Sequence, residues 1–399
     1  MTDAYLTNLR TARMLFANHW LSHARQKCEE ALNCEAENHV EAKDLMSEID
    51  ARSRSPSVFD LSRAHAPIAV LLNENCIVST LHFRQLSDDN LKREAFRQAV
   101  YYIDVETSSQ CNRKCLYCPN SQNDRFTSNK FMDDSVYKSF IDDLHEIDFA
   151  RELHFVGYSE PLLYVDDLLG RIDYARKKLA KAQLIAFTNG DYIEKEIVAQ
   201  LIAVGCNEIR ISVHLPPGKP YTDDSIFARI NKIATRLATP IKPIKYIKDT
   251  HIFARLVHPG VTINIYQTDY ERFGSNRAST LEGIGPKIDS RTAACLMPIY
   301  QFVVGHKGAV VPCCVMVSDD PRNAKYLVGH VTGRANIFDV YCGPEFVEWR
   351  RGLFNLAPKA SPCDKCSWDV ASSLLNEPGL YDPWQSLVSP ARVRPVVVG

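Results

Sequence analysis

Between Tyr101 and Gln267 short apolar runs alternate with longer amphipathic stretches, and this rhythm limits the fold more than any other feature of the 399-residue chain. The runs Tyr101–Glu106, Glu152–Val156, Gln183–Thr188, Glu208–His214, Ile241–Ile247 and Val261–Gln267 have the length and composition of strands. Between them, Asp134–Leu144, Val165–Leu179, Ile193–Val204 and Asp224–Leu237 place apolar residues at helical spacing. Repeated β–α units imply a parallel sheet, because parallel neighbours need a long crossover connection. Six units over about 170 residues fit a partial (β/α)6 barrel better than a closed eight-stranded one. The predicted class is therefore α/β.

Around this centre the texture changes. Residues 1–50 read as an N-terminal helical hairpin carrying Leu9, Cys28, Leu32 and Ile49 on its apolar face. One such pair does not bury its own face, so it is expected to pack on the rest of the chain. Residues 51–100 read as a linker and a helix leading into the barrel, which takes 101–290. Residues 291–375 read as a second, smaller domain, and 376–399 as a proline-marked tail. In the second domain Tyr300–Val304 and Ala309–Cys313 flank Gly305-His306-Lys307-Gly308, the signal of a β-hairpin.

Lys and Arg total 47 against 48 Asp and Glu, a net charge of −1, so no global basic field advertises a nucleic acid. The longest apolar runs, Ala66–Leu72 and Ala309–Val317, fall far short of the roughly 20 residues a membrane helix needs. Met1–Arg13 has no apolar signal region. A soluble, cytoplasmic protein without nucleic-acid or membrane partners is expected. Thirteen cysteines in such a chain favour metal or redox use over a disulfide framework.

Cys111, Cys115 and Cys118 stand in the loop after the first strand, at the barrel end where catalytic loops gather. Three thiolates hold three corners of a cubane cluster and leave one iron open. A structural zinc site needs a fourth ligand, and no His or Cys in the loop supplies it. CxxxCxxC in this place resembles the signature of the radical S-adenosylmethionine (SAM) superfamily. Phe155-Val156-Gly157-Tyr158-Ser159-Glu160-Pro161 resembles its G-x-G-E-P segment, with Ser159 where a second glycine is usual. Thr188-Asn189-Gly190 resembles its T-N-G turn. Ile209-Arg210-Ile211-Ser212-Val213-His214 resembles I-x-I-S-x-D, with His214 replacing the acid. The resemblance implies a SAM-binding [4Fe-4S] cluster on Cys111, Cys115 and Cys118. It also implies SAM held by Tyr117, Gly157, Ser159, Glu160, Asn189, Ser212 and His214, and a reductant such as flavodoxin or ferredoxin.

Cys295 and Cys313 flank the hairpin and meet at one end of it, while Cys363-Asp364-Lys365-Cys366 adds a CxxC pair. Four thiolates make a closed site, which by residue type suits zinc as well as iron–sulfur. Their order, with Ser275-Asn276-Arg277-Ala278 upstream, resembles the SPASM/Twitch auxiliary-cluster domains that follow radical SAM barrels. No cysteine follows Cys366, so the resemblance implies one auxiliary [4Fe-4S] cluster on Cys295, Cys313, Cys363 and Cys366. The compact order is similar to 2-deoxy-scyllo-inosamine dehydrogenase-like and sugar-epimerase-like members. That implies hydrogen abstraction from a sugar, cyclitol or related small molecule, giving oxidation, dehydration or epimerisation. Modification of a ribosomal peptide and a non-catalytic metal scaffold are the alternatives. Arg277 is the candidate to face the substrate. Cys314 and Cys342 are candidate hydrogen-atom donors, each also readable as a small buried hydrophobe. By strand alternation Glu106, Asn264 and His214 point toward the lumen, and Lys242, Lys245 and Lys248 read as a solvated edge.

Overall fold

A computed structural model describes residues 3–17, 21–34, 39–53, 80–127, 129–292, 295–332, 336–354 and 358–368. Most of the expected linker, with Cys76, and the whole of the expected tail lie outside the described residues. The strands are β1 (Tyr102–Val105), β2 (Glu152–Phe155), β3 (Gln183–Thr188), β4 (Glu208–Ser212), β5 (Ile241–Ile247), β6 (His251–Leu256), β7 (Thr262–Thr268), β8 (Gln301–Val304), β9 (Ala309–Val311) and β10 (Gly329–His330). They form one sheet in the order β10-β9-β8-β1-β2-β3-β4-β7-β6-β5. From β8 to β7 every neighbouring pair is parallel.

The parallel block has six strands, but one of them is not among those expected. Ile241–Ile247 is not the fifth parallel strand. Three residues after it the chain re-enters the sheet as β6, which pairs antiparallel with it, Ile247 opposite His251. That connection is too short for a crossover, so only an antiparallel partner is reachable. β7 then takes the place beside β4. The sixth parallel position goes to β8, the first arm of the hairpin assigned to the second domain, which pairs with β1 in register Tyr102–Gln301. The sheet therefore runs without a break into the second cysteine region. The hairpin itself forms as expected, with Val304 opposite Val310. Lys242 and Lys248 are exposed along the edge strand β5 or just beyond it.

Alternation decides which face each side chain meets. In β1, Ile103 and Val105 are fully buried, and in β2 so are Leu153 and Phe155. All four join the apolar core that also holds the helices Asp89–Ala99, Asp134–Glu146 and Val165–Lys178. Tyr102, Asp104, Glu106, Glu152 and His154 alternate with them and line the lumen. The helices start where the sequence supplies a cap: Asp88 accepts from Leu91 N at 2.8 Å and Asp133 from Ser135 N at 2.7 Å. The N-terminal region contains three helices, Asp3–Ala17, Leu21–Leu32 and Val40–Ser53, rather than a hairpin. Its third helix carries Ala42, Leu45 and Ile49 inward, so the two-helix face is covered by a third layer. These residues share an apolar cluster with Leu296, Met297 and Ile299, as the unpaired face required. No helix among the described residues is long and apolar enough to cross a membrane.

Phe302 anchors β8, fully buried with its ring 5.4 Å from that of Phe96 and 6.1 Å from that of Phe346. Phe302→Ala is expected to destabilise the protein by about 3–5 kcal/mol, read as a lower urea midpoint. An unchanged midpoint would show that β8 adds nothing to the barrel core.

Candidate active site

The six parallel strands open at their C-terminal ends onto a cavity of about 820 Å³. Cys111, Cys115 and Cys118 line it, together with Tyr117, Gly157, Ser159, Glu160, Asn189, Ser212, His214, Arg277 and Cys314. Residues that lie more than 200 positions apart in the chain thus share one wall. Cys342 does not. It packs in the apolar core near the Lys92 carbonyl and touches no part of the cavity, so its candidacy as a hydrogen donor is corrected to that of a core residue. Asn264 is likewise absent from the cavity lining and donates to Glu208 at 2.7 Å.

The loop after β1 is held from two sides. Arg113 grips Asp191 with two parallel hydrogen bonds of 2.7 and 2.6 Å and donates to the carbonyl of His214. Asn112 donates to Asp191 at 2.8 Å and accepts from Asn189 at 2.7 Å. The cysteine loop is thereby tied to the loops after β3 and β4 by residues that sequence reading passed over. Gly190 makes the turn that allows this, at φ +77°, where a Cβ would stand 2.8 Å from Ile211.

Burial pushes the thiols of Cys111 and Cys118 up to about 12 and about 11, and that of Cys115 up as well. At neutral pH they are protonated, and a bound metal has to displace the protons to gain thiolates. The second set behaves in the same way. Burial raises Cys313 far above the ordinary thiol range, with Cys314, Cys363, Cys295 and Cys366 adding to the effect. Cys313 thus stands among the other three expected ligands, whereas the adjacent Cys314 lines the cavity. Among the described residues, the group of ligand atoms lying within 4.8 Å of one another is Glu106, His306 and Asp319. Arg125, not a metal, fills the space between Glu106 and Asp319.

Glu160 is 1% exposed. Its oxygens accept from Thr188 Oγ1 at 2.7 Å, Asn189 N at 2.6 Å and Leu162 N at 3.1 Å. Burial nevertheless lifts it to about 7, since no cation faces it closely enough to outweigh desolvation. His214 is driven down to about 3, first by burial and then by Arg113 and Arg229, so the ring is neutral. Its Nδ1 lies 2.9 Å from the Tyr117 hydroxyl, and Tyr117 packs against Tyr270 with ring centroids 5.2 Å apart. Arg277 forms no ion pair among the described residues, and its buried Nε has no hydrogen-bond partner. Its side chain lies over the Tyr158 ring at 5.6 Å. The turn that carries it is left-handed at three successive residues, φ +50°, +53° and +61° at Arg277, Ala278 and Ser279. Asn276 clamps that turn to the CxxC loop by donating to the Lys365 carbonyl at 2.8 Å.

Comparison with known proteins agrees with this geometry. Residues 105–266 match the radical SAM superfamily, and residues 295–367 match the SPASM iron–sulfur cluster-binding domain. The chain thus carries a radical SAM domain followed by a SPASM domain, and the cofactors these domains imply are SAM and [4Fe-4S] clusters. It is similar to the S-adenosyl-L-methionine-dependent 2-deoxy-scyllo-inosamine dehydrogenase of Niallia circulans, 27% identical over 252 residues, or 63% of this chain and 86% of that protein. Among solved structures it is similar to BtrN in complex with AdoMet and 2-DOIA, at 24% identity and a TM-score of 0.47 over 64% of this chain and 88% of that one. It is also similar to anSMEcpe with bound AdoMet, at 17% identity and a TM-score of 0.37 over 64% and 80% of the two chains.

Gly157 is a tight point of the cavity wall. A Cβ there would lie 2.5 Å from Glu106 Oε1, the atom that accepts from Tyr158 N at 2.6 Å. Gly157→Ala is expected to cost about 1–3 kcal/mol and to lower both the melting temperature and SAM affinity. A variant with wild-type melting and binding would mean that the wall relaxes freely.

Proposed function

We propose that this enzyme abstracts hydrogen from a hydroxyl-bearing carbon of a sugar- or cyclitol-like small molecule and oxidises that carbon to a ketone. The observation that carries this reading is the single cavity that joins the three-cysteine loop, Glu160, Arg277 and the edge of the second cysteine set. The similarity to a cyclitol dehydrogenase supports it. Cys111, Cys115 and Cys118 would hold the SAM-binding cluster, and Cys295, Cys313, Cys363 and Cys366 the auxiliary one. When bound and reduced by a flavodoxin- or ferredoxin-like donor, the SAM-loaded cluster supplies a 5′-deoxyadenosyl radical, and the auxiliary cluster supplies an electron acceptor.

The chain's own residues would do the placing. Glu160, desolvated and lacking a cation, suits the ammonium of SAM. The neutral His214 and Tyr117 form an uncharged wall suited to an adenine ring. Gly157 and Ser159 let the ligand approach the β2 loop closely, and Asn189 and Ser212 offer hydrogen bonds across the cavity. Arg277, with no carboxylate partner among the described residues, presents donors to substrate oxygens. A second reading rests on Cys314. Burial pushes its thiol up to about 12, so it is a neutral S–H facing the cavity and suited to returning a hydrogen atom. That would make the outcome epimerisation.

Incubation of the anaerobic, cluster-loaded enzyme with SAM, reductant and perdeuterated 2-deoxy-scyllo-inosamine or myo-inositol distinguishes the two. Deuterium in 5′-deoxyadenosine with a ketone product supports oxidation. A product of unchanged oxidation level that disappears in Cys314→Ala supports epimerisation, and label transfer from neither compound counts against this substrate class.

Glu160 also predicts a pH dependence. Because its carboxyl titrates near 7 before SAM binds, protonation on the acid side removes the partner of the ammonium. SAM affinity is expected to fall about tenfold between pH 8 and pH 6, and to be weak and flat with pH in Glu160→Gln. Calorimetric titration at the two pH values reads both.

A further inference from the structure

Oxidation of an alcohol carbon to a ketone releases three things: a hydrogen atom, an electron and a proton. In the reading above, on which this inference rests, the hydrogen atom leaves on the adenosyl fragment and the electron leaves through the auxiliary cluster. The proton from the hydroxyl still needs an acceptor within the cavity, and most of the groups there are unsuited to it. Arg277 is a guanidinium with no free lone pair for a proton. His214 is held neutral by burial and neighbouring arginines, and its Nδ1 is engaged by Tyr117. Glu106 is buried, yet Arg125 and His306 outweigh desolvation and hold it down to about 2. Glu160 already accepts three hydrogen bonds.

One cavity-lining group remains. Asp104 Oδ1 lies 2.9 Å from His154 Nδ1, and His154 Nε2 lies 2.7 Å from Glu152 Oε2. Asp104 and His154 stand side by side in register on β1 and β2. Glu152 lies two residues earlier on β2, toward the end of the barrel opposite the cysteine loop. Asp104 and His154 are buried, whereas the Glu152 side chain is 21% exposed. Asp104 Oδ2 also accepts from Gln301 at 2.7 Å, and Gln301 in turn accepts from Cys314 N at 3.0 Å, which ties the acid to the loop carrying the second cysteine set. Burial alone would lower the ring's pKa, but the two carboxylates prevail and shift it upward, favouring the imidazolium. The ring stacks on Tyr102 at 5.0 Å, which fixes its plane. Around the trio, Arg210 approaches Glu152 at 3.4 Å and is itself paired with Glu208 at 2.6 Å.

We propose that Asp104, His154 and Glu152 form a proton relay from the substrate hydroxyl to the far end of the barrel. As the C=O bond forms, the O–H bond breaks and Asp104 takes the proton. His154 then gives its Nε2 proton to Glu152, which releases it to solvent. The trio carries charges −1, +1 and −1 before the step and 0, 0 and −1 after release, so the net charge of the lumen is unchanged. No oxidant is required beyond the electron acceptor already named.

The test uses the cluster-loaded enzyme, with 2-deoxy-scyllo-inosamine and myo-inositol as probes and the near-isosteric variants Asp104→Asn and Glu152→Gln. The relay predicts that ketone formed per 5′-deoxyadenosine falls at least about tenfold in Asp104→Asn, within the range for loss of a general base. It predicts a smaller fall in Glu152→Gln. A ratio equal to wild type in Asp104→Asn overturns the proposal, as does a parallel loss of both products with a lowered melting temperature, which marks a structural ion cluster. A second measurement needs no substrate: nitrogen-15 NMR of histidine-labelled enzyme at pH 7.5 is expected to show His154 protonated on both nitrogens. A singly protonated ring overturns the relay. If wild-type enzyme oxidises neither probe, the substrate class fails, and the ring's protonation state still decides the relay.

Discussion

The top of the barrel hangs on one buried ion pair. Glu106, the residue after β1, meets Arg125 at 2.5 Å, and both are almost wholly removed from water. Removing one member of such a pair typically costs about 3–5 kcal/mol, since the other charge is left uncompensated. The pair also does local work. Glu106 accepts from Tyr158 N and leaves no room for a side chain at Gly157, while Arg125 reaches on to Asp319 and His306 approaches Glu106 at 3.4 Å. Four segments therefore share one electrostatic knot: the end of β1, the far side of the cysteine loop, the β2 loop, and the hairpin region of the SPASM domain.

The knot has a mechanical consequence. The β8–β1 pairing already makes the SPASM hairpin part of the barrel sheet, and the knot fixes the loops above that junction. Tyr158 adds hydrogen bonds of 2.8 and 3.0 Å to the carbonyls of Cys314 and Val315. The two cysteine sets are thus held by one continuous framework rather than by two domains joined through a hinge. An electron passing between a substrate and an auxiliary cluster demands such a fixed separation.

Much of this was legible in the residues themselves. Cys111, Cys115, Cys118, Glu160 and Asn189 belong to short motifs whose geometry is local, so spacing alone placed them in the loops above the strands, and the structure puts them in one cavity. The helices from Asp134 to Leu237 were readable within a few residues because periodicity and capping are local too. Cys342 and the strand Ile241–Ile247 were not. A cysteine at a plausible spacing is indistinguishable from a core cysteine until its neighbours are known. A strand's own sequence does not say whether its neighbour runs parallel or antiparallel, and the three-residue turn after Ile247 decided it.

Composition and local pattern determined that this chain forms an α/β sheet with a parallel centre and two sets of cysteines suited to metal, because those properties depend on residues close together in the chain. Only the tertiary structure decided which strand closes the sheet beside β1, that Arg113 joins Asp191, that Arg277 faces the cavity with no carboxylate partner among the described residues, and that Asp104, His154 and Glu152 form a line through the lumen. Apart from the local His154–Glu152 pair, those contacts span roughly fifty residues or more or report an absence of partners, and a polar residue in a strand carries no mark of the charge that will stand opposite it.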